Sequence, residues 1–158
     1  MKKQNVLIIN DIRSVTNVGA MFRTADAVGI DKIYLTGFSP TPLDRFGKVR
    51  SDMAKSALGA ENFVQWEYIK NINLLLNKLK KEKYFLIGIE QDKNSVDYRK
   101  LKTKSYKLKA FILGAEVTGI PKNILKKCDV IAEIPMKGKK ESLNVSVACG
   151  VLLFRVLG

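Results

Sequence analysis

At 158 residues and 46% apolar side chains, the chain has the size of one domain and enough apolar surface for a full core. No apolar run approaches the length of a membrane helix, and Met1–Gln4 leads only into Val6–Ile9, too short for a signal peptide; a cytoplasmic chain that begins with a strand is expected. Histidine is absent, which removes the commonest general base, the commonest zinc ligand and every Ser-His or Cys-His pair; no metal site is expected.

The net charge of +13 has two readings, a lysine-rich solvated surface and a polyanionic partner. Aromatics are few and scattered, so no stacking platform for single strands is visible. Cys128 and Cys149 lie in or beside apolar segments with no Cys-x-x-Cys spacing, and are expected to be buried free thiols in a reducing compartment.

Asn5–Asn10 is a short apolar run, read as a buried strand, and Asp11–Thr16 as a polar loop. Asn17 opens a segment of helical periodicity that ends at Gly29, and Lys32–Thr36 is a second strand, which completes a unit of βαβ size. The Gly-, Pro- and Arg-containing stretch Gly37–Arg50 is long enough for a functional loop. Ser51–Ala60 reads as a short helix closed by Gly59, and Phe63–Tyr68 as a strand. Ile69, Ile72, Leu75, Leu76 and Leu79 mark an amphipathic helix with lysines opposite.

Tyr84–Ile89 is another strand, followed by Gln91–Lys109, polar and basic without a period; Lys70–Lys109 holds twelve Lys/Arg against four Asp/Glu. Ala110–Leu113 is a strand, Gly114–Pro121 a loop, and Pro121 stands at the start of a short helix, Lys122–Lys127. Asp129–Ile134 is the last strand, followed by a charged Gly/Lys turn and an apolar helix that opens at Ser142. Strands that are continuous apolar runs and alternate with helices predict an α/β fold: one domain, residues 1–158, with a parallel sheet covered on both faces.

No Walker-type loop and no G-x-G-x-x-G occurs, so the common nucleotide folds lose support. Three constellations remain. Asn17 reads as a helix N-cap, and Arg23 either snorkels past the core or aims its guanidinium at a phosphate or carboxylate. Leu113-Gly114-Ala115-Glu116 places a glycine and a carboxylate at a strand's end, where open α/β sheets bind ligands; a turn glycine beside a solvated Glu is the plainer alternative. Ile134-Pro135-Met136 ends a strand and Ser142-Leu143-Asn144 starts the last helix, with Ser142 as a cap and Asn144 as an amide in need of partners inside an apolar helix.

In order and spacing, Asn17–Gly29 (NVGAMFRTADAVG), Phe111–Gly119 (FILGAEVTG), Ile134–Met136 and Ser142–Ala148 (SLNVSVA) resemble the SpoU (TrmH) branch of the SPOUT superfamily of RNA methyltransferases; Lys55–Ala60 is also similar. The resemblance spans nearly the whole chain and implies a C-terminal deep trefoil knot, which periodicity alone cannot show. It implies that S-adenosylmethionine is bound by Leu113, Gly114, Ile134, Met136, Ser142 and Leu143. It further implies a homodimer in which the Asn17/Arg23 helix of one subunit approaches the cofactor site of the other.

The implied reaction is methyl transfer to a ribose 2′-hydroxyl of RNA, tRNA more than rRNA. A guanidinium stays protonated, so Arg23 would polarise the hydroxyl or pair the neighbouring phosphate. Asn17, Glu116, Ser142 and Asn144 would position Arg23, the ribose and the helix ends. Val117 departs from the family's usual glycine, and no counterpart of the extra RNA-binding domain of many relatives is expected within these residues. A silent RNA-binding module that keeps the fold is the competing reading. The presence of Asn17, Arg23, Glu116, Ser142 and Asn144 speaks against it.

Overall fold

The computed structural model describes residues 1–158. Seven strands, β1 (Gln4–Asn10), β2 (Lys32–Thr36), β3 (Gln65–Ile69), β4 (Phe85–Ile89), β5 (Val96–Asp97), β6 (Leu108–Leu113) and β7 (Val130–Glu133), form one sheet in the order β3-β2-β1-β6-β4-β7-β5. Every pairing is parallel, which confirms the α/β class. β6 enters between β1 and β4, and β7 between β4 and β5, so the late strands insert among earlier ones.

The continuous apolar runs follow from burial on both faces, because successive side chains of a strand point to opposite sides. Leu7, Ile9, Phe111 and Leu113 join one core with helices α1 (Val15–Val28), α2 (Ser51–Ala57), the short α3 (Ala60–Phe63) and α6 (Val145–Leu157). Val6, Ile8, Ala110 and Ile112 join the other with α4 (Ile72–Lys81) and the short α5 (Lys122–Leu125). On α4, Leu75, Leu76 and Leu79 are buried and the lysines face water, each leucine contributing about 1.5–3 kcal/mol of burial. Gly19 of α1 sits where α2 crosses: a Cβ there would lie 2.7 Å from the Met53 carbonyl oxygen.

Several boundaries differ from the sequence expectations, each for a local reason. Asn17 does not cap α1; Ser14 does, its Oγ accepting from the Asn17 N–H at 3.2 Å. Likewise Ser142 does not cap α6, because Asn144 takes that place and accepts from the Ser146 N–H at 2.9 Å. Asn144 is thus at the mouth of the helix, not inside it. The helix after Arg50 ends sooner than expected, at Leu58, which adopts a left-handed conformation, and Gly59 then opens α3. Ile69 belongs to β3 rather than to α4. The polar stretch after Gln91 contains β5 and a 3₁₀ turn, Tyr98–Lys100.

α6 is half buried. Cys149, Leu152 and Leu153 face the core, while Val147, Val151 and Phe154 are 49%, 36% and 53% exposed. No helix is long and apolar enough to cross a membrane.

Candidate active site

A cavity of about 680 Å³ opens beyond the carboxyl ends of β4, β6 and β7. Its walls come from the loop after β6, the loop between β7 and α6, the start of α6 and the residues that follow β4. Leu113, Gly114, Glu116, Ile134, Ser142, Leu143 and Asn144 all line it. Met136 is half-buried and does not, and Asn17 and Arg23 stand outside the lining.

The loop after β6 folds back on itself, with the Gly119 N–H donating to the Ala115 carbonyl at 2.8 Å. That return passes so close to Gly114 that a Cβ would lie 2.6 Å from the Gly119 carbonyl carbon and oxygen and from the Ile120 nitrogen. Backbone occupies this space and cannot swing aside as a side chain would, so only glycine fits.

Glu90 fixes the same loop from the end of β4, its Oε2 accepting from the Ile120 N–H at 2.9 Å. The next residue, Gln91, donates from Nε2 to the Glu141 carbonyl at 2.7 Å and ties the β4 end to the loop before α6. Sequence reasoning missed both residues. The rule that singled out Glu116, a carboxylate directly after a strand, also fits Ile89-Glu90.

Three expected site residues form one hydrogen-bonded chain. Asn144 Oδ1 accepts from the Ser146 N–H and Oγ, which leaves its Nδ2 to donate to Asn17 Oδ1 at 3.2 Å. Asn17 Nδ2 then donates to Glu116 Oε1 at 3.0 Å. The backbone donor at Ser146 sets the orientation of both amides, since an amide nitrogen cannot accept from it.

These bonds join residues of one protomer, so Asn17 contributes to the rim of its own chain's cavity. The physical reason is the packing of α1 against α6 on one face of the sheet, which sets their N-terminal ends side by side. Arg23 lies six residues along α1, about 9 Å along the axis and about 120° around it from Asn17. It is exposed and forms no ion pair or hydrogen bond within the protomer. Ser142 is exposed and also has no partner.

The cavity's charge opposes that of the chain. Glu90, Asp92, Glu116, Glu133 and Glu141 line it against a single cation, Lys122. No group of three or more Cys, Asp or Glu is arranged to hold a metal ion. Burial disfavours the thiolate at both cysteines, pushing Cys128 up to about 11 and Cys149 up to about 12.

Known proteins show the same architecture. An uncharacterized tRNA/rRNA methyltransferase of Borreliella burgdorferi is 34% identical over 157 residues; the match covers 98% of this chain and 65% of that protein. The chain thus spans less than two thirds of the length of the curated relatives it matches. An AdoMet-bound rRNA methyltransferase of Sinorhizobium meliloti superposes with a TM-score of 0.85 at 24% identity, covering 98% of this chain and 56% of the other. A TrmH/SpoU tRNA modifying enzyme of A. aeolicus gives 0.83 at 26% identity, covering 99% and 75%. The model of the SpoU rRNA Methylase family matches residues 4–154. Since that span takes in all seven strands and every wall of the cavity, the chain belongs to the SpoU family, the SpoU branch of the SPOUT RNA methyltransferases.

Proposed function

We propose that the chain is an S-adenosylmethionine-dependent methyltransferase of RNA that acts on a ribose 2′-hydroxyl. The observation that carries the cofactor is the acidic, glycine-floored cavity in a chain of net charge +13. Five carboxylates around one lysine suit a ligand that bears a sulfonium and an ammonium and would repel a phosphate. The backbone approach at Gly114 and the cavity's volume fit a flat nucleoside portion. Leu113, Gly114, Ile134 and Leu143 would hold it, and the bound group supplies an electrophilic methyl.

What the chain itself contributes is position and polarity. The Asn144–Asn17–Glu116 hydrogen bonds lock the entrance between α1 and α6, so a hydroxyl held there meets fixed groups. In-line displacement needs a nucleophile and not a covalent enzyme intermediate, which agrees with two thiols kept protonated by burial and no histidine. Arg23, unpaired within the protomer, would polarise the ribose hydroxyl or pair its phosphate at a partner's cavity.

A homodimer belongs to this proposal. Val147, Val151 and Phe154 recur at helical spacing on the outer face of α6 and offer an apolar stripe to a second copy. So does the trefoil knot, supported by the insertion of β6 and β7 among earlier strands. Residues 1–158 would form one catalytic domain, cytoplasmic and without a metal. tRNA is the preferred target because the A. aeolicus relative, a tRNA modifying enzyme, is matched over 75% of its length.

Incubation with S-adenosylmethionine and separate tRNA and rRNA pools, followed by nucleoside analysis, tests the proposal. A 2′-O-methylated nucleoside in the tRNA pool is expected. Methylation confined to a base would contradict the ribose reading, and no product in either pool would leave the silent binding module in its place.

A further inference from the structure

A second concavity, about 890 Å³, lies on the same sheet edge as the cavity, between the Gly37–Arg50 loop and β3. Phe38 and Phe46 both line it and are 71% and 73% exposed. A guanidinium covers each ring: Arg13 lies 4.8 Å from the Phe38 centroid and Arg45 4.8 Å from that of Phe46. Neither arginine forms an ion pair. Two carboxylates and two guanidiniums line the groove, Asp52 pairing with Arg50 and Asp44 accepting from the N–H groups of Phe46 and Lys48, which leaves the Arg45 guanidinium without an ion pair.

These aromatics look scattered in the sequence; a turn closed by a bridge between Leu43 and Val49 carries Phe46, and both rings line the one groove. The backbone that carries Phe38 is also held in place. Gly37 has a φ of 61°, the Phe38 N–H donates to Asp11 Oδ1 at 2.9 Å, and the Tyr68 hydroxyl donates to the Gly37 carbonyl at 2.7 Å. Asp11 thus fixes the groove, while Asn17, six residues on, bonds Glu116 of the cavity wall. Six residues span at most about 20 Å.

We propose that this groove takes unpaired nucleotides of the RNA substrate, with bases stacked on Phe38 and Phe46 and flanking phosphates against Arg13 and Arg45. The proposal rests on the RNA reading above. Rings with one face open and a cation on the other suit the flat base and the charged backbone of a single strand at once. A duplex keeps its bases stacked on each other and has no use for the rings.

The test measures fluorescence anisotropy of a labelled single-stranded RNA of mixed sequence, and of its duplex, without cofactor. Phe38→Ala and Phe46→Ala should each weaken single-strand binding about tenfold and leave the duplex nearly unchanged. Phe38→Tyr and Phe46→Tyr should restore it, and S-adenosylmethionine titrations should be the same for all. Unchanged single-strand affinity in the doubly substituted chain, or an equal loss for the duplex, would overturn the proposal. So would dimer dissociation in sedimentation with RNA affinity intact, which would assign the groove to a second copy. Binding is read without methyl transfer. A chain that methylates no RNA but loses single-strand affinity therefore contradicts the enzyme reading alone. One that methylates RNA equally well after both substitutions contradicts the groove alone.

Discussion

The two concavities share an edge of the sheet and are of similar size, about 680 and 890 Å³, yet they are built in opposite ways. The cavity beyond β4, β6 and β7 is acidic, and its loops are fixed by backbone contacts and by carboxylates that reach between strands. The groove beside β2 and β3 presents arginines over phenyl rings, on a loop held mainly by its own turns. The +13 of the whole chain therefore says little about either place. An acidic cavity favours a small cation and holds a polyanion at its rim, whereas the groove's lining is charge-balanced and offers exposed rings with a guanidinium over each.

The most damaging substitution should be Gly114→Val. Its side chain would enter space held by the Gly119 and Ile120 backbone; cofactor binding should vanish and stability should fall by about 1–3 kcal/mol. Calorimetric titration and a thermal melt check both, and near-normal binding would mean that the loop is pliant. Arg23→Ala should lower turnover by about a hundredfold or more while cofactor affinity and Tm stay put, since the side chain is exposed and unpaired in the protomer. Loss of cofactor binding in that variant would move Arg23 into the cavity and erase the contrast between acidic wall and basic approach.

Glu116→Gln keeps a hydrogen-bonding oxygen for Asn17 but removes one of the cavity's five carboxylates. Cofactor affinity should drop a few-fold with Tm unchanged within about 1 °C, because an exposed bond contributes about 1 kcal/mol or less. The smallest effect concerns the thiols. Cys149 lies on α6, next to Ala148 of the cavity wall, and burial pushes it up to about 12. The native chain should resist alkylation at pH 8 and react fully in denaturant. An unfolded thiol ionises near 8.5 and the native one does not, so stability should decline as pH rises from about 8.5 toward 12. Rapid native alkylation would show that the α6 wall opens.

Much of the sheet was legible because each buried strand is an apolar run bounded by polar residues, as at Asn5–Asn10 and Lys32–Thr36. β5 was not, because two residues carry no period. Both helix starts were misplaced. Ser14 and Asn17, and likewise Ser142 and Asn144, are all cap-forming types, and spacing alone does not choose between them. The outward stripe on α6 was hidden because the helix is apolar on every side in sequence. At the candidate site, Glu116 and Gly114 were readable from their place after a strand. The bond from Asn17 to Glu116 spans 99 positions, and the shared groove of Phe38 and Phe46 depends on how their loop turns; neither leaves a local pattern.

Titration of S-adenosylmethionine into the chain and two variants sets the two regions against each other most directly. One site per chain should appear in the parent, disappear in Gly114→Val and persist unchanged in the Phe38→Ala/Phe46→Ala chain. Binding that survives Gly114→Val, or that fails when only the phenyl rings are removed, would contradict the assignment of the acidic cavity to the cofactor and of the aromatic groove to RNA.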